Sequence, residues 1–118
     1  MPNTITLYHN PRCSKSRAAL ELLKSREIDA TIVEYLKTRP DRETLQSILT
    51  LLEIKPAQLL RRSESICKTL KLGDATDDAI IDAMLEHPIL IERPILTTTD
   101  TAAIGRPLDN IVELLDEL

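Results

Sequence analysis

The sequence predicts an α/β protein in which a β-α-β unit and a later β-β-α segment form a mixed sheet, with a helical insertion between them. Two observations support this fold class. Alternating β-forming residues occur near both ends of the chain, whereas the middle repeats its apolar residues at helical spacing. The chain has 118 residues, of which 42% are hydrophobic and 29% charged, so we expect one globular domain over residues 1–118.

The first third of the chain predicts a strand, a helix and a second strand. Residues 4–8 alternate and are rich in β-forming types, and Asn10-Pro11 then marks a turn. A helix from about Ser14 to Arg26 follows, and residues 30–35 have the composition of a strand. Together these elements predict a β-α-β unit, in which we expect parallel strands and a right-handed crossover.

The middle of the chain predicts helices only. Asp41 is a suitable N-cap for a helix whose apolar residues recur at i, i+3, i+4 and i+7, namely Leu45, Ile48, Leu49 and Leu52. Short helices are predicted over Pro56–Leu60 and over residues 63–70, the second ending near Gly73. Thr76 is a suitable N-cap for a further helix that Pro88 limits, with an apolar face of Ile81, Met84 and Leu85.

The last third of the chain returns to strands before a final helix. Residues 94–98 and 101–105 predict a hairpin, with Thr99-Asp100 as its turn. Pro107 fits the first turn of the last helix, because proline has no N–H to leave unpaired there. The apolar face of that helix consists of Leu108, Ile111, Val112 and Leu115.

Composition excludes several classes of protein. The chain has no Trp or Phe, only two Tyr, and a net charge of −4, all of which argue against nucleic-acid binding. No segment approaches the roughly 20 apolar residues of a membrane helix, and no secretory signal begins the chain, so we expect a cytoplasmic protein. Two cysteines and two histidines, without zinc spacing, predict neither a disulfide scaffold nor a metal site.

Cys13 is the residue whose position is most informative about chemistry. It follows a turn and begins a helix, where unpaired N–H groups and a partial positive charge stabilise a thiolate. Arg12 and Arg17 add positive charge nearby in the sequence. A reactive thiol is therefore favoured, although a small buried hydrophobic residue is the alternative.

The other candidate residues are less specific. A helix start also binds anions, and further positive charge could come from Arg61-Arg62, Arg93 and Arg106, although a lone arginine is more often solvated. His9 could tune the thiol or hold the turn by hydrogen bonds. Cys67 lies in a predicted helix, where a partly buried bystander is favoured over a thiol that resolves a disulfide.

The residues around Cys13 resemble a known motif. Residues 8–17, with the sequence YHNPRCSKSR, resemble the active-site loop of the glutaredoxin-dependent arsenate reductase family. Residues 57–62, 87–95 and 104–107 resemble the later motifs of that family, in the same order, so the resemblance covers almost the whole chain. The chain is similar to the shorter branch of the family, because fuller members continue beyond the position of Leu118.

The resemblance implies a thioredoxin-like fold with a helical insertion, and it implies roles for particular residues. Cys13 would be the nucleophile and His9 would support its thiolate. The oxyanion would be held by three arginines, Arg61, Arg93 and Arg106. The Arg93-Pro94 peptide would be cis. We add Arg17 to the predicted catalytic group because of its charge.

The resemblance also implies an activity, namely reduction of arsenate to arsenite in arsenic detoxification, with glutathione as co-substrate, glutaredoxin as partner and no bound cofactor. Ser16 stands where a Cys-x-x-Cys motif would have its second cysteine, so no disulfide can form within the loop. Two alternatives stay open at this point. One is a thiol-based redox-responsive regulator that contacts a partner such as RNA polymerase; the other is a general glutathione-dependent thiol reductase with another substrate.

Overall fold

The computed structural model describes residues 4–118 and contains four strands and six α-helices in that range. The strands are β1 (Thr6–His9), β2 (Thr31–Glu34), β3 (Ile95–Thr97) and β4 (Ala102–Ile104). The helices are α1 (Ser14–Ser25), α2 (Arg42–Leu52), α3 (Pro56–Leu59), α4 (Ser65–Thr69), α5 (Asp77–Glu86) and α6 (Asp109–Asp116). Two short 3₁₀ helices, Leu72–Asp74 and Pro88–Leu90, precede and follow α5. The predicted element order is confirmed, with ends that differ by a few residues.

The four strands form one mixed sheet in the order β2-β1-β3-β4. β1 and β2 are parallel, as a β-α-β unit requires, and the two remaining pairs are antiparallel. β2 is an edge strand, and its first two residues are exposed. The mixed sheet that the sequence predicts is therefore present.

The described residues form two compact units. Residues 4–38 and 93–118 make up the first unit, which contains the sheet, α1 and α6. Residues 39–92 make up the second unit, which contains α2 to α5 and corresponds to the predicted helical insertion. A single domain over residues 1–118 stays a prediction.

The core of the first unit is aliphatic, as the lack of Phe and Trp requires. Leu7 of β1 and Leu96 of β3 are paired in register on the same face of the sheet, and both are fully buried. Helices α1 and α6 cover this face with Ala19, Leu23, Ile111, Leu114 and Leu115. Since each buried leucine or isoleucine contributes about 1.5–3 kcal/mol, this layer holds both helices on the sheet.

The caps predicted in the second unit are confirmed. The Asp41 carboxylate accepts a hydrogen bond from Thr44 N at 2.8 Å, and Thr76 Oγ1 accepts one from Ala79 N at 3.2 Å. Each cap satisfies a backbone donor that the first turn of a helix leaves unpaired. An ion pair between Arg42 and Asp82 joins α2 to α5.

Two peptide bonds in the first unit are cis. Arg93-Pro94 is cis, which confirms the prediction, and Arg106-Pro107 is cis as well, which the sequence analysis did not foresee. Gly105 is hydrogen-bonded to the first of these prolines, because its N–H donates to Pro94 O at 2.8 Å. A β-carbon at Gly105 would lie 2.7 Å from Ile111 Cδ1 and 2.8 Å from Pro94 Cγ. The close packing therefore leaves no room for a side chain there.

We expect Gly105→Ala to lower the free energy of unfolding by about 1–3 kcal/mol, the usual cost of overpacking a buried site. Ile111 is fully buried, so it cannot move away without disturbing the core. Chemical denaturation followed by circular dichroism measures the change. Gly73→Ala is the control: its β-carbon would meet only Arg62 Nη1, at 3.9 Å, and should cost less than about 0.5 kcal/mol. Equal losses in the two variants would contradict this packing argument.

Candidate active site

The loop between β1 and α1 is held by its own backbone and by two side chains. Cys13 N donates to Asn10 O at 3.0 Å, and Arg12 N donates to the Asn10 side-chain oxygen at 3.0 Å. Arg17 Nη1 donates to Pro11 O at 2.9 Å. The Asn-Pro turn found in the sequence thus becomes a fixed loop that places Cys13 at the N-cap of α1.

Cys13 is 9% exposed, and its thiol lies among hydrogen-bond donors and cations. Burial raises the pKa of this thiol, but the backbone N–H groups of Ser16 and Lys15 and the charges of Arg93 and Arg106 lower it. The lowering effects dominate, so the pKa lies below the ordinary value of a cysteine. Arg106 Nη2 is 3.7 Å from Cys13 Sγ.

The cations that lower the pKa of the thiol come from a distant part of the sequence. They are Arg93 and Arg106, rather than the Arg12 and Arg17 that the sequence analysis emphasised. Arg12 is exposed, and the guanidinium of Arg17 donates to the loop carbonyl described above. Arg17 therefore holds the loop, and its membership of the catalytic group stays a prediction.

Arg93 and Arg106 form a connected pair beside the sulfur. Arg106 Nε donates to Arg93 O at 2.7 Å, which fixes the direction of the Arg106 guanidinium. Asn110 at the start of α6 donates from Nδ2 to Ile104 O at 3.0 Å and to Arg106 O at 3.4 Å. Arg93 is only 5% exposed. Two guanidinium groups of this kind offer planar, multi-donor contacts that suit an oxyanion placed against the thiol.

His9 lies at the end of β1, on the same face as Leu7, and is buried. Its Nδ1 shares a hydrogen bond of 2.7 Å with Ser16 Oγ, which also accepts from Asn10 N at 2.9 Å. Burial lowers the pKa of His9, and the negative charge of Glu34 offsets only part of this shift. The imidazole is therefore neutral at pH 7, so it supports the loop without adding charge to the thiol.

Ser16 is the positioning residue that the sequence analysis missed. In the sequence it marks only the position where a second cysteine is absent, yet its side chain is fully buried and joins His9 to the loop backbone. Its signal in the sequence is weak, because a serine in the first turn of a helix is common for many reasons.

Arg61 and Cys67 belong to the second unit. Arg61 N donates to Leu90 O at 2.6 Å, and its Nη1 pairs with Glu64 Oε1 at 2.5 Å. Cys67 is a buried residue of α4. The structure thus gathers most of the predicted site in the first unit, and the contact of Arg61 with an oxyanion stays a prediction. The predicted residues in the first unit are His9, Cys13, Arg17, Arg93 and Arg106.

Two further properties concern the described chain as a whole. Within residues 4–118, no three His, Cys, Asp or Glu side chains are grouped so as to hold a metal ion. In the same range, none of the helices has the length and apolar character needed to cross a membrane. What the site does present is one thiol, two guanidinium groups and the N–H groups of a helix start, a set suited to covalent chemistry on an anion.

Comparison with known proteins shows the family of this chain. A model of the ArsC family matches residues 8–114, which include Cys13, both arginines beside it and the His9–Ser16 pair. This chain belongs to the ArsC family. It is 45% identical over 114 residues to an arsenate reductase of Neisseria meningitidis, which covers 94% of this chain and 97% of that relative. It is 38% identical over 117 residues to an arsenate reductase of Escherichia coli K12, and the match covers 98% of this chain and 83% of that relative.

The solved structures similar to this ArsC-family chain agree with the fold described above. An arsenate reductase from Vibrio cholerae superposes with a TM-score of 0.91 at 40% identity, covering 96% of this chain and 98% of that one. The match confirms the thioredoxin-like architecture with its mixed four-stranded sheet. It also confirms the family resemblance that the loop and the later arginine motifs indicated.

We expect the Cys13 thiol of this ArsC-family protein to alkylate with a pH midpoint below the value of about 8.5 of an ordinary cysteine. The thiolate is the reactive form, so a lowered pKa moves the rise in rate to lower pH. The rate of iodoacetamide addition against pH, in a Cys67→Ser background, measures the midpoint. Arg106→Gln should raise it, whereas Arg62→Gln should leave it in place. A midpoint at or above the ordinary value would remove the electrostatic argument.

Proposed function

We propose that this protein is an arsenate reductase in which Cys13 is the nucleophile and glutathione supplies the electrons. The observation that supports this best is the Arg106 guanidinium 3.7 Å from the Cys13 sulfur, at the start of α1. Membership of the ArsC family and the arsenate reductases among its relatives indicate which oxyanion this site would take.

Charge explains why the site needs arginines. A thiolate and an arsenate ion are both negative, so each raises the free energy of placing the other nearby. Arg93 and Arg106 offset this repulsion, and the N–H groups of Lys15 and Ser16 direct further partial positive charge to the sulfur. Because these groups are fixed before the anion arrives, they stabilise charge without reorganising during the reaction.

In the first step, Cys13 Sγ attacks arsenic. A sulfur–arsenic bond forms, and one arsenate oxygen takes up protons and leaves as water. Arsenic is still pentavalent in this adduct, so no electrons have yet been transferred. The arginines hold the remaining oxygens, whose negative charge increases while the new bond forms.

In the second step, the thiolate of glutathione attacks Cys13 Sγ. A disulfide forms, the sulfur–arsenic bond breaks, and its electron pair stays on arsenic, which leaves as trivalent arsenite. Two thiols have then been oxidised to one disulfide. Glutaredoxin next attacks the glutathione sulfur, and Cys13 leaves as a thiolate. An external thiol is required in this scheme because Ser16 occupies the position of a resolving cysteine in the loop.

We expect Cys13→Ser to abolish arsenate reduction and Cys67→Ser to retain most of it. A serine hydroxyl is a poor nucleophile and cannot form the disulfide that carries the electrons. Oxidation of NADPH, coupled through glutathione reductase and glutaredoxin, measures the rate. If a folded Cys67→Ser protein were equally inactive, an internal Cys13–Cys67 disulfide would replace the external thiol.

We expect Arg93→Ala and Arg106→Ala each to lower kcat/KM for arsenate by roughly 10- to 150-fold, since a charge-assisted hydrogen bond contributes about 1.5–3 kcal/mol. Lysine at either position should retain only part of the kcat/KM that alanine loses, because lysine lacks the planar set of donors of a guanidinium group. Steady-state kinetics measures these changes, with circular dichroism to confirm folding.

Arg61 and Arg62 provide a matched pair for the same assay. Arg61 carries the predicted oxyanion contact and Arg62 does not, so Arg61→Ala should cost much more activity than Arg62→Ala. Near-normal kcat/KM in the variants of Arg93 and Arg106 would show that these arginines do not bind the substrate, and an oxyanion would then be the wrong substrate class.

A further inference from the structure

A pocket of about 240 Å³ opens beside the active-site loop, within the first unit. Residues 9–12 line one side of it, and Glu34, Leu36 and Lys37, at and beyond the end of β2, line the other. The loop continues directly into Cys13, whose N–H donates to Asn10 O. The mechanism proposed above uses neither the side chain of Arg12 nor those of the residues beyond β2.

The charges around this pocket include both signs. Arg12 and Lys37 are cationic, and Glu34 is anionic, with its Oε1 3.6 Å from Lys37 Nζ. An inorganic oxyanion carries no positive charge that would pair with the Glu34 carboxylate. Glutathione has two carboxylates and one ammonium group. These charges are equal in number, and opposite in sign, to the two cations and one anion of the pocket.

The size and the apolar wall of the pocket also fit part of a tripeptide. Sites for drug-sized ligands have volumes of about 300–1,000 Å³, so this smaller pocket fits one end of glutathione rather than the whole molecule. Leu36 is 37% exposed at the pocket and offers an apolar contact for methylene groups. The cysteinyl sulfur of the ligand would then remain outside the pocket, on the side of the loop that leads to Cys13.

We propose that this pocket is the subsite for the thiol co-substrate, in which Arg12 and Lys37 bind carboxylates of glutathione and Glu34 binds its ammonium group. The inference rests on the proposed function only for the choice of glutathione as reductant. The subsite holds the tripeptide beside the loop, so that its sulfur reaches the Cys13 adduct from the β2 edge of the sheet. Arg93 and Arg106 are then left to the oxyanion.

The reaction of Cys13 with disulfides tests this subsite without arsenate. Cys13 thiolate attacks one sulfur of oxidised glutathione, a disulfide between Cys13 and glutathione forms, and the other glutathione leaves as a thiolate. Bis(2-hydroxyethyl) disulfide undergoes the same exchange but has no charge. The ratio of the two rates, measured by mass spectrometry in a Cys67→Ser background, therefore reports recognition of glutathione separately from the reactivity of Cys13.

We expect Lys37→Glu to lower this ratio about three- to tenfold, because the substitution both removes and reverses the contact of a largely exposed charge. Lys37→Arg should keep the ratio. Lys24→Glu is the matched control, because it makes the same change of charge in the last turn of α1, and it should leave the ratio unchanged. High salt should reduce the difference between Lys37→Glu and the parent protein.

Two outcomes would overturn the subsite. An unchanged ratio in Lys37→Glu would show that Lys37 does not recognise glutathione, and an equal fall in Lys24→Glu would show an effect of net charge alone. The proposed function fails by a different measurement, namely an absence of arsenate-dependent NADPH oxidation in the parent protein. A lowered ratio together with absent arsenate turnover would keep the subsite and reject arsenate.

Discussion

The antiparallel pairing of β1 with β3 is the constraint on which the site depends. Tyr8 pairs with Ile95 in antiparallel register, so the chain that follows Tyr8 and the chain that precedes Ile95 lie at the same end of the sheet. On β1 this continuation is the loop to Cys13, and before β3 it is Arg93. The second antiparallel pair, Ile95 with Ile104, brings Arg106 to the same place. Two strand registers thus bring the thiol and both guanidinium groups together.

The electrostatics of the thiol follow from this placement. A buried thiolate without partners is unfavourable, and burial alone would raise the pKa of Cys13. The start of α1 provides N–H donors, and the β3–β4 hairpin provides two positive charges, so the thiolate is stabilised despite its low exposure. The same charges then remain available to an incoming oxyanion. In the proposed reaction, one set of groups would therefore both activate Cys13 and bind the oxyanion.

The buried polar groups around the loop keep this arrangement fixed. Ser16 Oγ joins His9 Nδ1 to Asn10 N, and the Arg17 guanidinium donates to the carbonyl of Pro11 in the loop. Buried polar groups that lack partners destabilise a fold, so these hydrogen bonds favour a single loop conformation. A neutral His9 contributes by position rather than by charge. The side of the loop that faces β2 is left to form the pocket.

Sequence alone determined those features that depend on residues near each other in the chain. The helical and strand periodicities, the caps at Asp41 and Thr76 and the turn before Cys13 all involve neighbours within about four residues, a range over which local hydrogen bonds and apolar spacing decide the structure. The functional assignment of Arg93 came from the family resemblance, because nothing local distinguishes that arginine from a solvated one.

Only the tertiary structure decided which groups meet the thiol and which hold the loop. The sequence placed Arg12 and Arg17 nearest to Cys13, whereas strand register brought Arg93 and Arg106 there. The bridging role of Ser16 likewise required α1 to pack against the end of β1. Such contacts depend on sheet register and on the packing of a shared aliphatic core, which arise from residues many positions apart and leave no local pattern in the sequence.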